Sequence, residues 1–268
     1  MGDSDGGRHA GADRYIAEPW LSLALIEPEW PAPARVRAIS TMRLGGVSAA
    51  PWSALNLGGK VGDDPAHVAE NRRLVMAVLP SEPVWLDQVH GTDVWRADSD
   101  SRCADAAVTR STGRVCTVMT ADCLPVLFAD RAGQVVAAAH AGWRGLCAGV
   151  LERTLQAMAV PPEEVMAWLG PAIGPEHFEV GPEVRAAFMD KDAQAAAAFR
   201  PGKGDRLMAD IFELARQRLR AGGLAAANIY GGGICTVTDA ARFFSYRRDG
   251  VTGRMASLIW LDQSGGGE

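Results

Sequence analysis

Apolar residues in the middle of the chain fall into short runs that are typical of buried strands. Four such runs follow one another, at residues 84–95, 115–120, 124–128 and 134–140. They are rich in valine and aromatic residues, which suits strands packed inside a protein. We therefore expect these four segments to form the core of a sheet.

Further strands are predicted on both sides of this core. Apolar segments of strand length occur at residues 36–41, 165–169, 228–230, 234–237 and 255–261. The first of them runs into the sequence RLGGVS at residues 43–48, where paired glycines favour a loop.

Helical periodicity appears between these strands. Asp64 and Pro65 are suited to a helix start, and the pattern continues to about residue 79. A second stripe joins Cys147 to Met158 with helical spacing. Pro182 suits a first helical position, and residues 207–220 carry an apolar face that ends before Gly222 and Gly223. Helices and strands are mixed without strict alternation, so the sequence predicts an α+β fold.

The organisation along the chain points to one large domain. A length of 268 residues and a hydrophobic content of 48% allow a sizeable core. Residues 1–14 are polar and glycine-rich, and we expect a disordered leader there. Residues 15–263 are expected to form a single catalytic domain, and residues 264–268 a flexible tail.

The charge and composition of the chain indicate which classes of partner to expect. A net charge of −5 with interspersed signs disfavours nucleic acid as a partner. The richest apolar run, residues 115–129, is interrupted by Thr117, Thr120 and Asp122, so no membrane span is expected. Five cysteines are an odd number without a disulfide-like spacing, and the start of the chain does not resemble a secretory signal. A cytoplasmic protein with a small-molecule partner is expected.

Candidate metal-ligating residues stand at the ends of the predicted core strands. His90 directly precedes Gly91, and His140 stands two residues before Gly142. Cys123 lies between two of the predicted strands. Thiolate and imidazole suit zinc, and three protein ligands leave a fourth position for water or substrate. The spacing is not a local zinc motif, so inert packing and a metal-free Cys/His nucleophile pair remain alternatives.

Two arginines beside glycine-containing loops are candidate phosphate ligands. Arg144 falls in the first turn of the predicted helix after His140, where free amides and the guanidinium favour an anion. Arg43 begins the RLGGVS loop. A surface ion pair is the alternative for Arg144. Residues 247–250 are interpreted as a charged hairpin turn, and Asp105 as a turn carboxylate or as a residue that orients a site side chain.

Several of these segments together resemble one known family, the YfiH-like proteins, also called laccase-domain proteins, multicopper polyphenol oxidases or peptidoglycan editing factors. The motifs that carry the resemblance span most of the chain, and they are RLGGVS (43–48), LNLG (55–58), VGDDP (61–65), QVHG (88–91), TADC (120–123), HAGWRG (140–145), GPAIG (170–174) and FFSYR (243–247). Trp52 is a departure, since the family more often has tyrosine or phenylalanine there.

The resemblance implies a fold and an activity. The fold would consist of mixed β-sheets covered by helices, similar to bacterial cysteine deamidase toxins. A zinc ion would be bound by His90, Cys123 and His140. The activity would be phosphorolysis of adenosine, inosine, guanosine and methylthioadenosine with inorganic phosphate, together with deamination of adenosine. Asn56 and Gln88, in two motif loops, are then candidate contacts for ribose or base, with loop fixation as the alternative.

Three other functions are alternatives to the nucleoside activity. A cysteine amidase that edits peptidoglycan precursors would use Cys123 as nucleophile and His140 or His90 as base. A binding module would carry a structural zinc ion. A copper oxidase would need Cu²⁺ at the two histidines and Cys123, with Met119 as an axial ligand, but five histidines supply few further copper ligands. The sequence leaves the oligomeric state undetermined.

Overall fold

A computed structural model of the protein describes residues 14–18 and 23–263. The described residues contain fourteen strands, which are β1 Arg14–Glu18, β2 Leu23–Glu27, β3 Val36–Thr41, β4 Val94–Trp95, β5 Ala106–Thr109, β6 Cys116–Thr120, β7 Leu124–Asp130, β8 Val136–Ala141, β9 Val165–Leu169, β10 Glu179–Val180, β11 Phe199–Pro201, β12 Leu207–Ala209, β13 Ile229–Gly231 and β14 Met255–Leu261. The α-helices of the same residues are α1 Pro65–Met76, α2 Trp143–Ala148, α3 Val150–Met158, α4 Pro182–Met189, α5 Ile211–Ala221 and α6 Tyr246–Asp249. Residues 1–13 of the expected leader and the expected tail at 264–268 lie outside the described residues.

The strands form three sheets. A five-stranded sheet has the order β1-β2-β3-β14-β6, and a six-stranded sheet has the order β13-β9-β7-β8-β5-β4. A small third sheet has the order β10-β12-β11. Most neighbouring strands are antiparallel, while β13 with β9 and β4 with β5 are parallel. Together with the helices, these sheets form the α+β architecture that the sequence predicted.

The two large sheets pack face to face and are covered on their outer sides by helices. Leu127 of β7 belongs to the cluster between the sheets, to which β14 also contributes. Side chains of β7 alternate between its two faces, since Val126 and Phe128 belong instead to the cluster formed with α2 to α5. On the other side, Leu258 of β14 belongs to the cluster that contains Val75 of α1. All seven residues of β7 and of β14 are buried because both faces of each strand are covered.

Several predicted elements are confirmed with small shifts of their ends. The strands predicted at 36–41, 165–169 and 255–261 have those bounds, and the one predicted at 228–230 is β13, one residue later. α1 begins at Pro65 after Asp64, whose carboxylate accepts a hydrogen bond from the Ala66 amide at 2.8 Å. Pro182 is the first residue of α4.

The strand predicted over residues 84–95 is wrong for most of its length. Val84 and Asp87 form isolated bridges with Cys116 and Cys103, and the regular strand is limited to β4. His90 has a φ of 61°, which is incompatible with a strand. The amides of residues 89–91 donate to the Asp105 carboxylate instead of to a neighbouring strand.

The apolar stripe from Cys147 to Met158 is buried as predicted, but it belongs to two helices. Gly149 separates α2 from α3 and has a φ of 105°. A left-handed residue of this kind ends one helix while the next begins at a different angle. Periodicity alone did not reveal this break because the buried side continues across it.

Three other predictions are corrected. The helix predicted over 207–220 begins later, since Leu207–Ala209 is strand β12 and Asp210 caps α5 by accepting from the Glu213 amide. Residues 234–237 form no strand; they follow three consecutive glycines with positive φ, and Cys235 makes a single bridge with Ala172. Residues 247–250 are not a hairpin turn, because Ser245 caps the short helix α6.

Candidate metal centre

Two histidines and one cysteine from distant parts of the chain meet at one end of the six-stranded sheet. The ligand atoms of His90, Cys123 and His140 all lie within 4.8 Å of one another, and we call these residues the His90–Cys123–His140 cluster. Cys123 Sγ lies 4.0 Å from His90 Nε2. The rings of His90 and His140 pack edge to face, with centroids 4.7 Å apart.

The backbone around the cluster explains this convergence. His140 is in β8, which pairs with β7 so that Pro125 lies opposite His140. Cys123 is in the tight connection between β6 and β7, where Asp122 adopts a φ of 89°. Aspartate is among the few non-glycine residues that tolerate this left-handed conformation. The turn therefore brings the Cys123 side chain beside the neighbouring strand end that carries His140.

Asp105 connects the two histidines. Its fully buried carboxylate bonds His140 Nδ1 at 2.8 Å, and it also accepts from the amides of Val89, His90 and Gly91 at 3.1, 2.9 and 2.6 Å. The remaining ring nitrogen of His140, Nε2, is the one available to the cluster. A carboxylate that orients a ligating histidine in this way is common at metal sites. Both roles expected for Asp105 are present, because its carboxylate fixes the loop at residues 89–91 and also orients His140.

Two glycines of the HAGWRG motif make room for the cluster. A Cβ atom on Gly142 would lie 3.0 Å from Cys123 Sγ and 3.4 Å from His90 Cδ2. A Cβ atom on Gly145 would lie 2.8 Å from the carbonyl oxygen of Gly91. The first turn of α2 therefore packs directly against the loop that carries His90, which a larger side chain at either glycine would prevent.

Burial and neighbouring charges shift the pKa values of the cluster histidines in opposite directions. Burial lowers the pKa of His140, but the charge of Cys123 and the Asp105 carboxylate outweigh it and raise that pKa to about 9. The pKa of His90 is lowered by burial and by the charges of His140 and Arg144, against the opposing effect of Asp105. Burial alone would raise the pKa of Asp105, yet its hydrogen bonds from His140 and Gly91 hold it below the ordinary value.

The donor set and its spacing fit a transition metal ion. Zinc binds sulfur at about 2.3 Å and imidazole nitrogen at about 2.0–2.1 Å in a tetrahedral arrangement, which separates its ligand atoms by about 3.3–3.8 Å. The ligand atoms of the cluster lie within 4.8 Å of one another, so small side-chain rotations would bring them to that separation. Among residues 14–18 and 23–263, this is the one group of three or more histidine, cysteine or acidic side chains with metal-ligand spacing.

The cluster lies in a cleft of about 630 Å³, within the range of ~300–1,000 Å³ for small-molecule sites. The cleft is lined by all three cluster residues, by the aromatic side chains of Trp85 and Tyr246, and by the cations Lys60, Arg72 and Arg254. Asp87 is the carboxylate in this lining. The cleft therefore combines a potential metal centre, ring surfaces and positive charge.

The two side chains predicted to contact ribose or base have their polar atoms bonded within the protein. Gln88 lines the cleft, but its amide exchanges two hydrogen bonds with the Met119 backbone at 2.8 and 2.7 Å. Asn56 is fully buried, and its side chain bonds Gly58, Asp63 and the Arg254 amide. The structure thus places both residues where they fix loops, and a contact with substrate stays a prediction.

The two arginines predicted to bind phosphate occupy different surroundings. Arg144 is exposed, lies over the Trp143 ring at 4.5 Å, and is close enough to lower the pKa of His90. Arg43 donates to the carbonyl oxygens of Ser53 and Ala240 at 2.8 and 3.0 Å and lies over Phe244. Among the described residues that line the cleft, neither arginine is present. Their role in binding phosphate stays a prediction.

Two further residues near the cluster, Asp122 and Arg254, were not among the site residues predicted from the sequence. Asp122 accepts from the hydroxyls of Thr236 and Ser245 and from the Arg247 amide, so it joins the Cys123 turn to a distant loop. Arg254 lines the cleft from the segment before β14. Asp122 belongs to the TADC motif, which is a usable signal, whereas Arg254 stands just before strand β14 and outside the motifs.

Two further histidines of the described residues, His67 and His177, do not belong to the cluster. His67 Nδ1 is 3.8 Å from an Asp63 carboxylate oxygen, and His177 Nε2 is 3.0 Å from the Thr238 hydroxyl. His9 lies outside the described residues. The five cysteines are unpaired in the described part of the chain.

Proteins of similar sequence identify the family to which this chain belongs. The family model described as multi-copper polyphenol oxidoreductase laccase matches residues 37–262. A purine nucleoside phosphorylase of Escherichia coli strain K12, YfiH, is 59% identical over 242 residues, which is 88% of this chain and 98% of that protein.

Solved structures agree with the fold described above. A Neisseria meningitidis protein aligns with a TM-score of 0.85 at 50% identity, covering 89% of this chain and 99% of that chain. A Bacillus licheniformis protein, also named YfiH, aligns with a TM-score of 0.84 at 29% identity, covering 92% and 99%. The α+β class, with several β-sheets and the helices that cover them, is therefore confirmed.

Proposed function

The chain belongs to the family described as multi-copper polyphenol oxidoreductase laccase, and we propose that it acts as a zinc-dependent purine nucleoside phosphorylase. The observation that carries the proposal is the His90–Cys123–His140 cluster at the wall of a cleft lined by aromatic and cationic side chains. The 59% identity to a protein named purine nucleoside phosphorylase supports the choice of substrate class.

Zinc is the ion that suits this cluster best. His90, Cys123 and His140 would hold it through two imidazole nitrogens and one sulfur, and Asp105 would orient His140. When bound, zinc supplies Lewis acidity that activates water and polarises substrate oxygens near neutral pH. Three protein ligands leave room for such a contact, as in catalytic rather than structural zinc sites.

The proposed reaction transfers a ribosyl group from a purine to phosphate. An oxygen of hydrogen phosphate forms the new bond to C1′, and the C1′–N9 bond breaks with its electron pair moving to N9. The proton of the phosphate ends on the purine, so the products are the free base and ribose 1-phosphate. Such a reaction depends on positioning both substrates and on stabilising charge, which a cleft with fixed cations provides.

The finer substrate assignments are part of this proposal. We propose adenosine, inosine, guanosine and methylthioadenosine as nucleoside substrates, and deamination of adenosine to inosine as a second activity. In the deamination, water would add at C6 of the purine and ammonia would leave, and zinc held by the cluster would activate that water. Arg144, beside His90 at the start of α2, is proposed to attract the anionic substrate toward the cleft. Arg43 is proposed to act in phosphate binding only through the loop that it holds.

The experiment that tests the proposal combines metal analysis with a product assay. Purified protein is analysed for zinc and copper, and adenosine is incubated with and without inorganic phosphate. We expect about one zinc per chain, adenine and ribose 1-phosphate only when phosphate is present, and inosine with ammonia in both reactions. Absence of bound metal together with absence of turnover would contradict the proposal.

A second candidate function is a cysteine amidase that edits peptidoglycan precursors. The specific observation in its favour is the order Cys123, His140, Asp105, in which a thiol, a base and an orienting carboxylate are in contact. The metal distinguishes the two functions, because zinc bound to the sulfur would suppress its nucleophilicity. An amidase should keep its activity after chelation and lose it after thiol alkylation.

The oxidase chemistry in the family description has less support from the site. Two histidines and one cysteine could bind a single copper ion, and Met119 lines the same cleft. Reduction of dioxygen by several coppers needs additional ligands. The other described histidines, His67 and His177, are bonded elsewhere. We therefore propose zinc rather than copper.

A further inference from the structure

We propose that Arg254 is the residue that binds the inorganic phosphate in the cleft beside the His90–Cys123–His140 cluster. This inference rests on the proposed phosphorolysis and adds to it the side chain that recognises the phosphate. Three observations carry it: the way the LNLG motif fixes Arg254, the donors that its guanidinium leaves unused, and the contrast with the other arginines around the cleft.

The LNLG segment at residues 55–58 holds the backbone and the stem of Arg254. The Arg254 amide donates to Asn56 Oδ1 at 2.9 Å, and the Arg254 carbonyl accepts from the Leu57 amide at 3.1 Å. A Cβ atom on Gly58 would lie 2.7 Å from Arg254 Cγ. Asn56 and Gly58, two of the motif residues, are therefore required to seat an arginine nearly 200 positions away.

The guanidinium of Arg254 keeps unused hydrogen-bond donors. Its Nη1 donates to the carbonyl oxygens of Thr252 and Gly253 at 3.1 and 3.0 Å. Within the described part of the chain, no acceptor bonds its Nε or Nη2, and no carboxylate lies within ion-pair distance of it. An arginine remains charged in proteins and presents its donors in a rigid fork. One edge of this fork is therefore available to an anion.

The surroundings of Arg254 strengthen the case for an anionic ligand. The side chain is only partly exposed and lines the cleft together with Cys123. Burial lowers its pKa, while the nearby Cys123 and Asp122 oppose that effect. A cation that is partly removed from water and makes no ion pair with the described residues is stabilised when a phosphate binds. Its closeness to Cys123 places such a phosphate next to the proposed metal centre.

The other two cations that line the cleft, Arg72 and Lys60, each have a partner within the protein. Both Nε and Nη2 of Arg72 donate to the Leu57 carbonyl, and its guanidinium lies 4.1 Å from the Trp85 ring. Lys60 is paired with Asp87 on the surface. Arg43 bonds two backbone carbonyls away from the cleft lining. Arg254 is consequently the best placed of these side chains to hold phosphate during attack on C1′.

The test measures binding of inorganic phosphate to the metal-loaded protein by isothermal titration calorimetry, and separately the KM for phosphate and for adenosine. The variants are Arg254→Gln, Arg254→Lys, and Arg43→Gln as the rival phosphate arginine. Arg216→Gln is the matched control, because Arg216 is a partly buried arginine that donates to two carbonyls in another part of the fold. Zinc content and thermal unfolding are recorded for each protein.

We expect Arg254→Gln to raise the dissociation constant and the KM for phosphate by about tenfold or more, the effect of losing one charge-assisted hydrogen bond. The KM for adenosine and the zinc content should remain near the wild-type values. Arg254→Lys should give an intermediate loss, because lysine keeps the charge but not the fork. Arg216→Gln should leave phosphate binding unchanged.

The outcomes separate this inference from the proposed function. If the wild-type protein releases adenine with phosphate and Arg254→Gln binds phosphate normally, the assignment of Arg254 is overturned while phosphorolysis stands. A loss of phosphate binding in Arg43→Gln but not in Arg254→Gln also overturns it. If the wild-type protein neither binds phosphate nor releases base, the proposed function itself fails. Should Arg254→Gln not fold, the Arg254→Lys protein decides by the same measurements.

Discussion

The Asp105 carboxylate bonds His140 Nδ1 at 2.8 Å while the same group receives the backbone amide of His90 at 2.9 Å. One buried side chain thus fixes the ring orientation of one proposed ligand and the backbone position of another. The geometry of the cluster depends on a residue that does not itself belong to it.

Substituting Asp105 by asparagine tests this dependence. The amide group can accept fewer of the four hydrogen bonds, so we expect zinc affinity to fall by about 10- to 100-fold, as for other residues that orient ligating histidines. Competition with a chromophoric chelator measures the affinity. Asp98→Asn is the control, since Asp98 is exposed. Unchanged zinc affinity in a folded Asp105→Asn protein would show that the cluster does not need this carboxylate.

Replacing the cluster thiol provides a second prediction. We expect Cys123→Ala to lose bound zinc and both proposed activities, because one of three protein ligands is removed. Metal analysis and the adenine-release assay give the two readouts. Cys103→Ala, which changes an exposed cysteine, should keep both. Full turnover by a correctly folded Cys123→Ala protein would falsify the zinc mechanism.

A methyl group at Gly142 should disturb the cluster without replacing a ligand. Its Cβ atom would lie 3.0 Å from Cys123 Sγ, so the sulfur or α2 must move. We expect Gly142→Ala to lower zinc affinity by about tenfold or more, measured by the same competition. Gly59→Ala is the matched control, because the nearest atom to a Cβ there is 3.8 Å away. Equal affinities for the two variants would speak against a tightly packed cluster.

Metal removal and thiol alkylation distinguish the two candidate functions. After dialysis against a strong chelator, we expect adenine release to disappear and to return when zinc is added. Circular dichroism should show a folded protein throughout, because the cluster lies at the edge of a preformed core. Alkylation of Cys123, followed by mass spectrometry, should be slower with zinc present. Activity that survives chelation and is lost on alkylation would favour the amidase.

The core between the two sheets provides a stability prediction. Leu127 on β7 is fully buried, so Leu127→Ala should lower the free energy of unfolding by about 2–5 kcal/mol. Leu44→Ala changes an exposed leucine and should alter it by less than about 0.5 kcal/mol. Urea unfolding followed by fluorescence measures both. A small effect at Leu127 would indicate that the sheets pack less closely than described.

The hydrophobic pattern predicted correctly the strands whose side chains are buried. It failed where a side chain, and not a neighbouring strand, accepts the backbone hydrogen bonds. The strands at 36–41, 165–169 and 255–261 have the predicted bounds, and β9 and β14 among them are buried along their whole length. Residues 84–95 were misread because their apolar content suits a strand while the Asp105 carboxylate takes up the amides at 89–91. That carboxylate comes from elsewhere in the chain, so local periodicity could not reveal it.

The sequence predicted the three cluster residues of the candidate site but not Arg254. The motif resemblance identified the family, which the comparison with residues 37–262 confirms, and it named His90, Cys123 and His140, which the structure brings together. Arg254 escaped notice because its position depends on contacts with Asn56 and Gly58 across the fold. Contacts between residues so far apart in the chain produce no local sequence pattern.

The central position of β14 in the five-stranded sheet has a consequence for how the chain acquires its structure. β14 lies between β3 and β6, and the hydroxyls of Ser40 and Ser257, which face each other at 2.9 Å, are 217 positions apart. Pairings this distant close late because a long loop must first be ordered. During synthesis, the edge of β3 that pairs with β14 therefore stays unpaired until the far segment emerges, and an unpaired strand edge of this kind favours aggregation.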